Sequence, residues 1–216
     1  MVSLRVIEMM NRFLPVAIAA LAIGASMLFG MFREYTNPDP NHTHADFAVW
    51  VKNVQMDFSG EEYMSEAYEE GKEVRVDPMR KFLHLHDGNG HVIHRHKPGL
   101  TLRDFMLSLG FADTCVITGV APHNVAEHLC LIFPDGKTNI LHLYVNGELS
   151  SEGLAYVFND EDQILFTDSD DADIVERQRA MLTSQACMYS KTCPWRGDPP
   201  TENCIADPTV PCVIPE

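Results

Sequence analysis

The sequence predicts an α+β domain: a β-grasp-like mixed sheet with one packed helix. An N-terminal transmembrane helix precedes it and a cysteine-rich tail follows it. Three observations predict this. An uninterrupted apolar run spans Phe13 to Phe32. Between 44 and 170, short strand-like segments bounded by turn residues surround one capped amphipathic stretch. Four of the six cysteines then crowd into 187–212, among prolines.

The elements follow in order. Residues 1–12 carry Arg5 and Arg12 and read as a cytoplasmic N-terminus. The run 13–32 has about 20 apolar residues, the length of a bilayer-crossing helix. Pro15 stands near its start, where a helix tolerates proline. The basic flank places the body outside the cytoplasm, so the chain reads as a single-pass protein of the cell membrane. A cleaved signal peptide is the alternative, but the run is long and has no small-x-small site at its end. No cysteine lies near it for lipid attachment.

Residues 33–43 form a polar spacer with two prolines. The body, 44–170, opens with strands at Ala45–Val51 and Val54–Phe58, joined at Lys52-Asn53. Phe47, Val49 and Val51 share one face, as a core-facing strand requires. The acidic stretch Glu61–Glu70 reads as a short surface helix. Phe82–His96 reads as a hairpin around Gly88-Asn89-Gly90, with Gly90 in the left-handed region. A three-residue loop sets His84 opposite His94 and puts Leu83, Leu85 and Ile93 on one face. His84, His86, His94 and His96 then share the other. A loop of two or four residues would separate His84 from His94.

Thr101 caps a helix with Asp104 three positions on, and Gly110 ends it. Leu102, Phe105, Met106 and Leu109 form its apolar stripe. Strands follow at Val116–Val120, Leu129–Phe133 and Ile140–Val145, with turns at Pro134-Asp135-Gly136 and Asn146-Gly147. Leu154–Val157 and Gln163–Thr167 complete the strands. Asp168–Asp173 opens like a calcium loop, yet Ala172 stands where a ligand is needed and the glycine is missing. Capping of a helix over Ala172–Thr183 explains it better. The tail, 171–216, has too little apolar material for its own core. It either wraps the domain or ends as a stapled knob.

The net charge of −15 excludes nucleic acid as a partner. Six cysteines outside the membrane point to disulfides. Cys115 and Cys130 are neighbours in the body; Cys187, Cys193, Cys204 and Cys212 allow several pairings. Cys-x-x-Cys is absent, and with it the usual redox dithiol.

The histidines carry the chemistry. His42-Thr43-His44, His84-Leu85-His86 and His94-Arg95-His96 are three His-x-His pairs. Residues two apart in a strand point to one face, so each pair can offer two imidazoles to one ion. His84, His86 and His94 form the first ligand set, with His96, His42 or His44 as the fourth. An all-imidazole set suits copper(II) or zinc. Asp46 and Asp87 are candidates to orient the rings. His91, His123, His128 and His142 read as ordinary structural residues.

The expected function is metal binding by a membrane-anchored protein, the metal ion and the membrane being its foreseen partners. An exported structural module, or a three-histidine zinc hydro-lyase or hydrolase, are the alternatives. Catalysis is the less favoured class: Gly-x-Ser-x-Gly is missing, and no proton shuttle is evident.

Two resemblances add to this. Tyr156–Leu165 resembles the last-strand region of ubiquitin-like β-grasp domains, which implies a fold but no activity. HTHADFAVWVKN, HLHDGNGHVIHRHKPGLTLRDFMLSLG, the Cys115/Cys130 pair and CPWRGDPPTENC resemble a family of small anchored, exported proteins. Its members occur in candidate-phylum bacteria and some archaea. Some are labelled protein-disulfide isomerase, a label that this chain, without Cys-x-x-Cys, does not support. That resemblance implies topology rather than chemistry.

Overall fold

The computed structural model describes residues 37, 42–64, 78–113 and 128–193. They form an α+β body built on one mixed sheet. Its strands are β1 (Thr43–Val51), β2 (Val54–Gln55), β3 (Leu83–His84), β4 (Val92–Arg95), β5 (Leu129–Ile132), β6 (Thr138–Val145), β7 (Glu148–Leu149) and β8 (Asp162–Thr167). The order across the sheet is β3-β4-β1-β8-β6-β5, with β2 on β1 and β7 on β6. β1 and β8 run parallel at the centre; the other pairings are antiparallel. The helices are α1 (Leu102–Ser108), α2 (Ala172–Arg179) and α3 (Ala186–Tyr189).

Alternation along β1 divides the sheet's two faces. Ala45, Phe47 and Val49 point into the main core with Leu83, Leu85, Ile93, Leu141, Leu143, Ile164 and Phe166. Helix α1 closes this core with Leu102, Phe105 and Met106. Phe105 meets Phe47 edge-on at 5.0 Å, a favoured aromatic geometry. Its expected capping box is present: Thr101 Oγ1 accepts from Asp104 N, and Asp104 Oδ2 accepts from Thr101 N. Gly110 follows with φ +90. On the opposite face, Ala48, Trp50 and Leu165 pack with Val175 of α2, and Val92 packs with Ala186 and Tyr189 of α3.

The loop into β8 is organised by Asp162. Its carboxylate accepts from Asn146 Nδ2 at 2.7 Å, Tyr156 Oη at 2.8 Å and Asn159 N at 2.7 Å. Burial, reinforced by this carboxylate, pushes the Tyr156 hydroxyl up to about 12.

Several sequence expectations change. The register is as expected, with His84 opposite His94, but the turn is not. Asp87 and Gly88 hold the positive φ values, +59 and +65, and Asn89 N donates to His86 O. Positive φ at both central residues is the type I′ signature. Gly90 serves a different need. A Cβ there would lie 2.5 Å from the Phe58–Ser59 backbone, so glycine permits the close approach. Beyond His84 and His94 the strands part: Leu85 bridges Met64, and His91 O accepts from Phe47 N.

The second strand is shorter than expected, Val54–Gln55. Glu61–Tyr63 is a 3₁₀ turn, and residues 65–70 of the expected Glu61–Glu70 helix lie outside the described residues. Gly153–Ala155 is likewise 3₁₀, not strand, because Ser150 Oγ accepts from Glu152 N and Gly153 N and curls the chain. Helix α2 stops at Arg179; Thr183 is drawn to the sheet by a hydrogen bond to Asp46. Its start is capped by Asp171, which accepts from Asp173 N and Ile174 N. Cys187 pairs with Cys193, and Cys130 is also disulfide-bonded. The expected transmembrane run, the strand Val116–Val120, Cys115, Cys204, Cys212 and the proline-rich tail from Pro194 lie outside the described residues. Among the described residues, no helix is long and apolar enough to cross a membrane.

The two hairpin glycines make opposite demands. Gly90→Ala drives a methyl into backbone and lowers stability by about 1–3 kcal/mol. Gly88→Asn keeps a left-handed residue in open space and costs less than about 1 kcal/mol. Urea unfolding of both variants checks the contrast.

Candidate metal centre

The three His-x-His pairs fall on neighbouring strands in the order β3, β4, β1. β1 and β4 pair His44 with His94, and β4 and β3 pair His94 with His84. These three imidazoles therefore form a row across the sheet. Strand alternation adds His42, His86 and His96 to the same face. All six are buried, between 0 and 8% exposed.

The rings are in continuous contact. His42 lies 4.4 Å from His44 and 3.9 Å from His96, centroid to centroid. His94 lies 4.8 Å from His44 and 3.8 Å from His86. His84 lies 4.9 Å from His96 and 5.6 Å from His86. One ligand atom each from His42, His44 and His94 falls within 4.8 Å of the others. In a tetrahedral zinc site, Zn–N bonds of about 2.0–2.1 Å set the nitrogens about 3.4 Å apart.

Hydrogen bonds decide which nitrogen each ring presents. Ser190 Oγ donates its one hydrogen to Asp160 Oδ1 at 2.7 Å, so it accepts from His44 Nδ1 at 2.7 Å. Arg80 O can only accept, so His84 Nδ1 donates to it at 2.6 Å. Asp87 Oδ2 accepts from His86 Nδ1 at 2.8 Å. His86 Nε2 is then the lone-pair nitrogen and accepts from His94 Nδ1 at 3.1 Å. His44, His84, His86 and His94 thus share one tautomer, with Nε2 carrying the lone pair. Metal ligands are oriented by partners of this kind.

Burial settles the charge state. Desolvation, then the neighbouring His86, His44, His84 and His42, hold His94 well below the ordinary imidazole range. Two protonated imidazoles about 4 Å apart repel by about 4 kcal/mol at an effective dielectric of 20. At His94 these effects favour the neutral ring, the form that ligates metals. Burial works to raise Asp160, but hydrogen bonds from His44 and Ser190 outweigh it and hold the carboxyl low.

The segment 183–193 lies over the histidines. Tyr189 contacts His44, His86 and His94, closest at 4.5 Å to His94. Asp46 anchors this cover. Its carboxylate accepts from Thr183 Oγ1, from Gln185 N at 2.8 Å and from Ala186 N at 3.1 Å. Asn89 Nδ2 donates to Gln185 Oε1 and Tyr189 Oη, and Thr192 Oγ1 donates to Glu161. Cys187–Cys193 staples the same segment.

All six expected ligands are thus brought to one face. The triad with converging ligand atoms joins the first pair to the hairpin: His42, His44 and His94. Asp87 orients a ring, as expected; Asp46 holds the cover instead. Sequence reasoning missed Tyr189, Ser190, Asp160 and the Arg80 carbonyl. Neither Asp160 nor Ser190 carried a signal in the sequence, because both act through contacts with residues remote in the chain. His128, just before β5, and His142 of β6 meet each other at 4.9 Å, away from this row. His123 lies outside the described residues. Comparison with known proteins found no matching family model, no matching curated protein and no matching solved structure.

The depressed His94 sets a pH dependence. The unfolded chain takes up this proton near its ordinary value of about 6.5, while the folded chain resists it. The stability is complete above that value and is lost as pH falls below it toward the folded pKa. The melting temperature of the metal-free protein is expected to fall from pH 7.5 to 5. His94→Gln flattens that slope. A wild-type melting temperature that rises on acidification contradicts the assignment.

Proposed function

We propose that this chain is a membrane-anchored, extracytoplasmic protein that binds copper(II) or zinc through imidazoles of its His-x-His pairs. One observation carries the reading: six imidazoles are buried together on one sheet face, with ligand atoms of His42, His44 and His94 within 4.8 Å of one another. An ion that four of these rings share draws them together, and its binding energy adds to the stability of the fold. The fixed Nδ1–H tautomers of His44, His84, His86 and His94 support it, because each leaves Nε2 as the ligating atom.

Retention fits this site better than turnover. The rings lie beneath Tyr189 and a segment tied down by Asp46 and Asp160, so an ion bound there is shielded from bulk solvent. A hydrolytic zinc centre keeps an open position for water and substrate. Storage, delivery or sensing of the ion needs no such opening.

The anchor rests on the apolar run Phe13–Phe32 and its basic flank. The export reading is supported by Cys187–Cys193, a bond favoured in oxidising compartments. A β-grasp-like class is supported by the parallel β1–β8 pair at the sheet centre, with α1 packed between the two halves of the sequence. The strand beside β8 is β1, so the His-x-His hairpin supplies the outer strands of that half.

Elemental analysis tests the proposal. The full-length protein, incubated with copper(II) or zinc and desalted, is expected to retain at least one equivalent. His44→Gln/His94→Gln loses at least tenfold in affinity while keeping its circular dichroism spectrum. Wild-type protein that retains neither metal overturns the reading.

A further inference from the structure

Six imidazoles exceed what one tetrahedral ion can use, and their arrangement divides around His94. A tetrahedral ion holds imidazole centroids about 5 Å apart, given metal–nitrogen bonds of about 2.0–2.1 Å. On one side of His94, His44 lies at 4.8 Å and His42 at 6.2 Å, with 4.4 Å between those two. On the other side, His86 lies at 3.8 Å and His84 at 5.9 Å, with 5.6 Å between those two. His96 touches both sets, 3.9 Å from His42 and 4.9 Å from His84.

The nitrogens of His94 divide in the same way. Its Nδ1 faces His86 Nε2 at 3.1 Å. That separation is about 0.3 Å short of the roughly 3.4 Å between two nitrogens on one tetrahedral ion. An imidazole's two nitrogens point to different sides of the ring. With Nδ1 committed to His86, Nε2 is the atom that serves the triad with His42 and His44.

We propose that the face holds two divalent ions bridged by His94, an extension that rests on the metal-binding reading above. The first is held by His42, His44 and His94 Nε2. The second is held by His84 Nε2, His86 Nε2 and His94 Nδ1, with His96 completing either set. Seating the second ion breaks the His94 Nδ1–H bond and forms a metal–Nδ1 bond. The proton passes to buffer, His94 becomes an imidazolate, and no electron moves. Asp87 stays on His86 Nδ1 and the Arg80 carbonyl on His84 Nδ1, so both new ligands keep the lone pair on Nε2, and the ion itself draws those atoms together.

The test is titration of the full-length chain with copper(II), read by bound copper and by electron paramagnetic resonance. Two coppers per chain are expected, with an integrated signal well short of two spins because an imidazolate bridge couples them. His84→Ala/His86→Ala is expected to bind one copper with a full, uncoupled spin. Saturation of the wild type at one copper overturns the bridged pair and leaves metal binding standing. Two coppers with two independent spins also overturn the bridge. No bound copper or zinc overturns both readings. Each of these overturning outcomes is measured on the unmutated chain, so none depends on whether the variant folds.

Discussion

Mutual burial of six imidazoles on one sheet face is the constraint around which this molecule is organised. Desolvation, and then the neighbouring imidazoles, disfavour a proton on His94 at the centre of the row. Neutral imidazole has one donor and one acceptor, and the surroundings must choose which nitrogen is which. A hydroxyl tied to Asp160, a backbone carbonyl and the Asp87 carboxylate make that choice for three rings. His86 passes it to a fourth, His94. The result is one shared tautomer for four rings, with the lone pair on Nε2.

The cover follows from the same constraint. A polar face of this size, left open, would hydrate and its rings would protonate more easily. Tyr189 closes it with an aromatic surface that packs on three rings while its hydroxyl stays in a hydrogen bond with Asn89. Asp46 is the hinge of this arrangement. It stands two residues after His44 on the same face and takes three hydrogen bonds from the cover. A charged carboxylate that is 3% exposed is costly, and those donors offset the cost. The main core, on the opposite face, is conventional by comparison: apolar alternation, an aromatic cluster and one capped helix.

Much of this is legible in the chain. Period-two alternation in Phe47-Val49 and in Leu83-Leu85 names the core face, and the Thr101/Asp104 pair names the start of α1. Counting across the Gly88-Asn89-Gly90 segment places His84 opposite His94. The turn that achieves this register is not the three-residue loop expected, because a left-handed Asp87 is a local choice that glycine spacing does not reveal. The same spacing suggests a left-handed backbone role for Gly90, whereas its need is space beside Phe58. Short 3₁₀ segments at Glu61 and Gly153 depend on single local contacts and leave no periodic trace.

By itself, then, the sequence determined an α+β body, the capped start of α1, and a shared face for each His-x-His pair. These follow from local geometry: a strand repeats every two residues, and caps and turns act within about four. Tertiary structure decided what is remote in the chain. It placed β1 between β4 and β8, and so joined His42 and His44 to the hairpin. It brought Ser190 and Tyr189, far along the chain, onto His44. Such contacts depend on strand order and on where the C-terminal segment lies. Both are set by global packing of apolar faces, which no local pattern encodes.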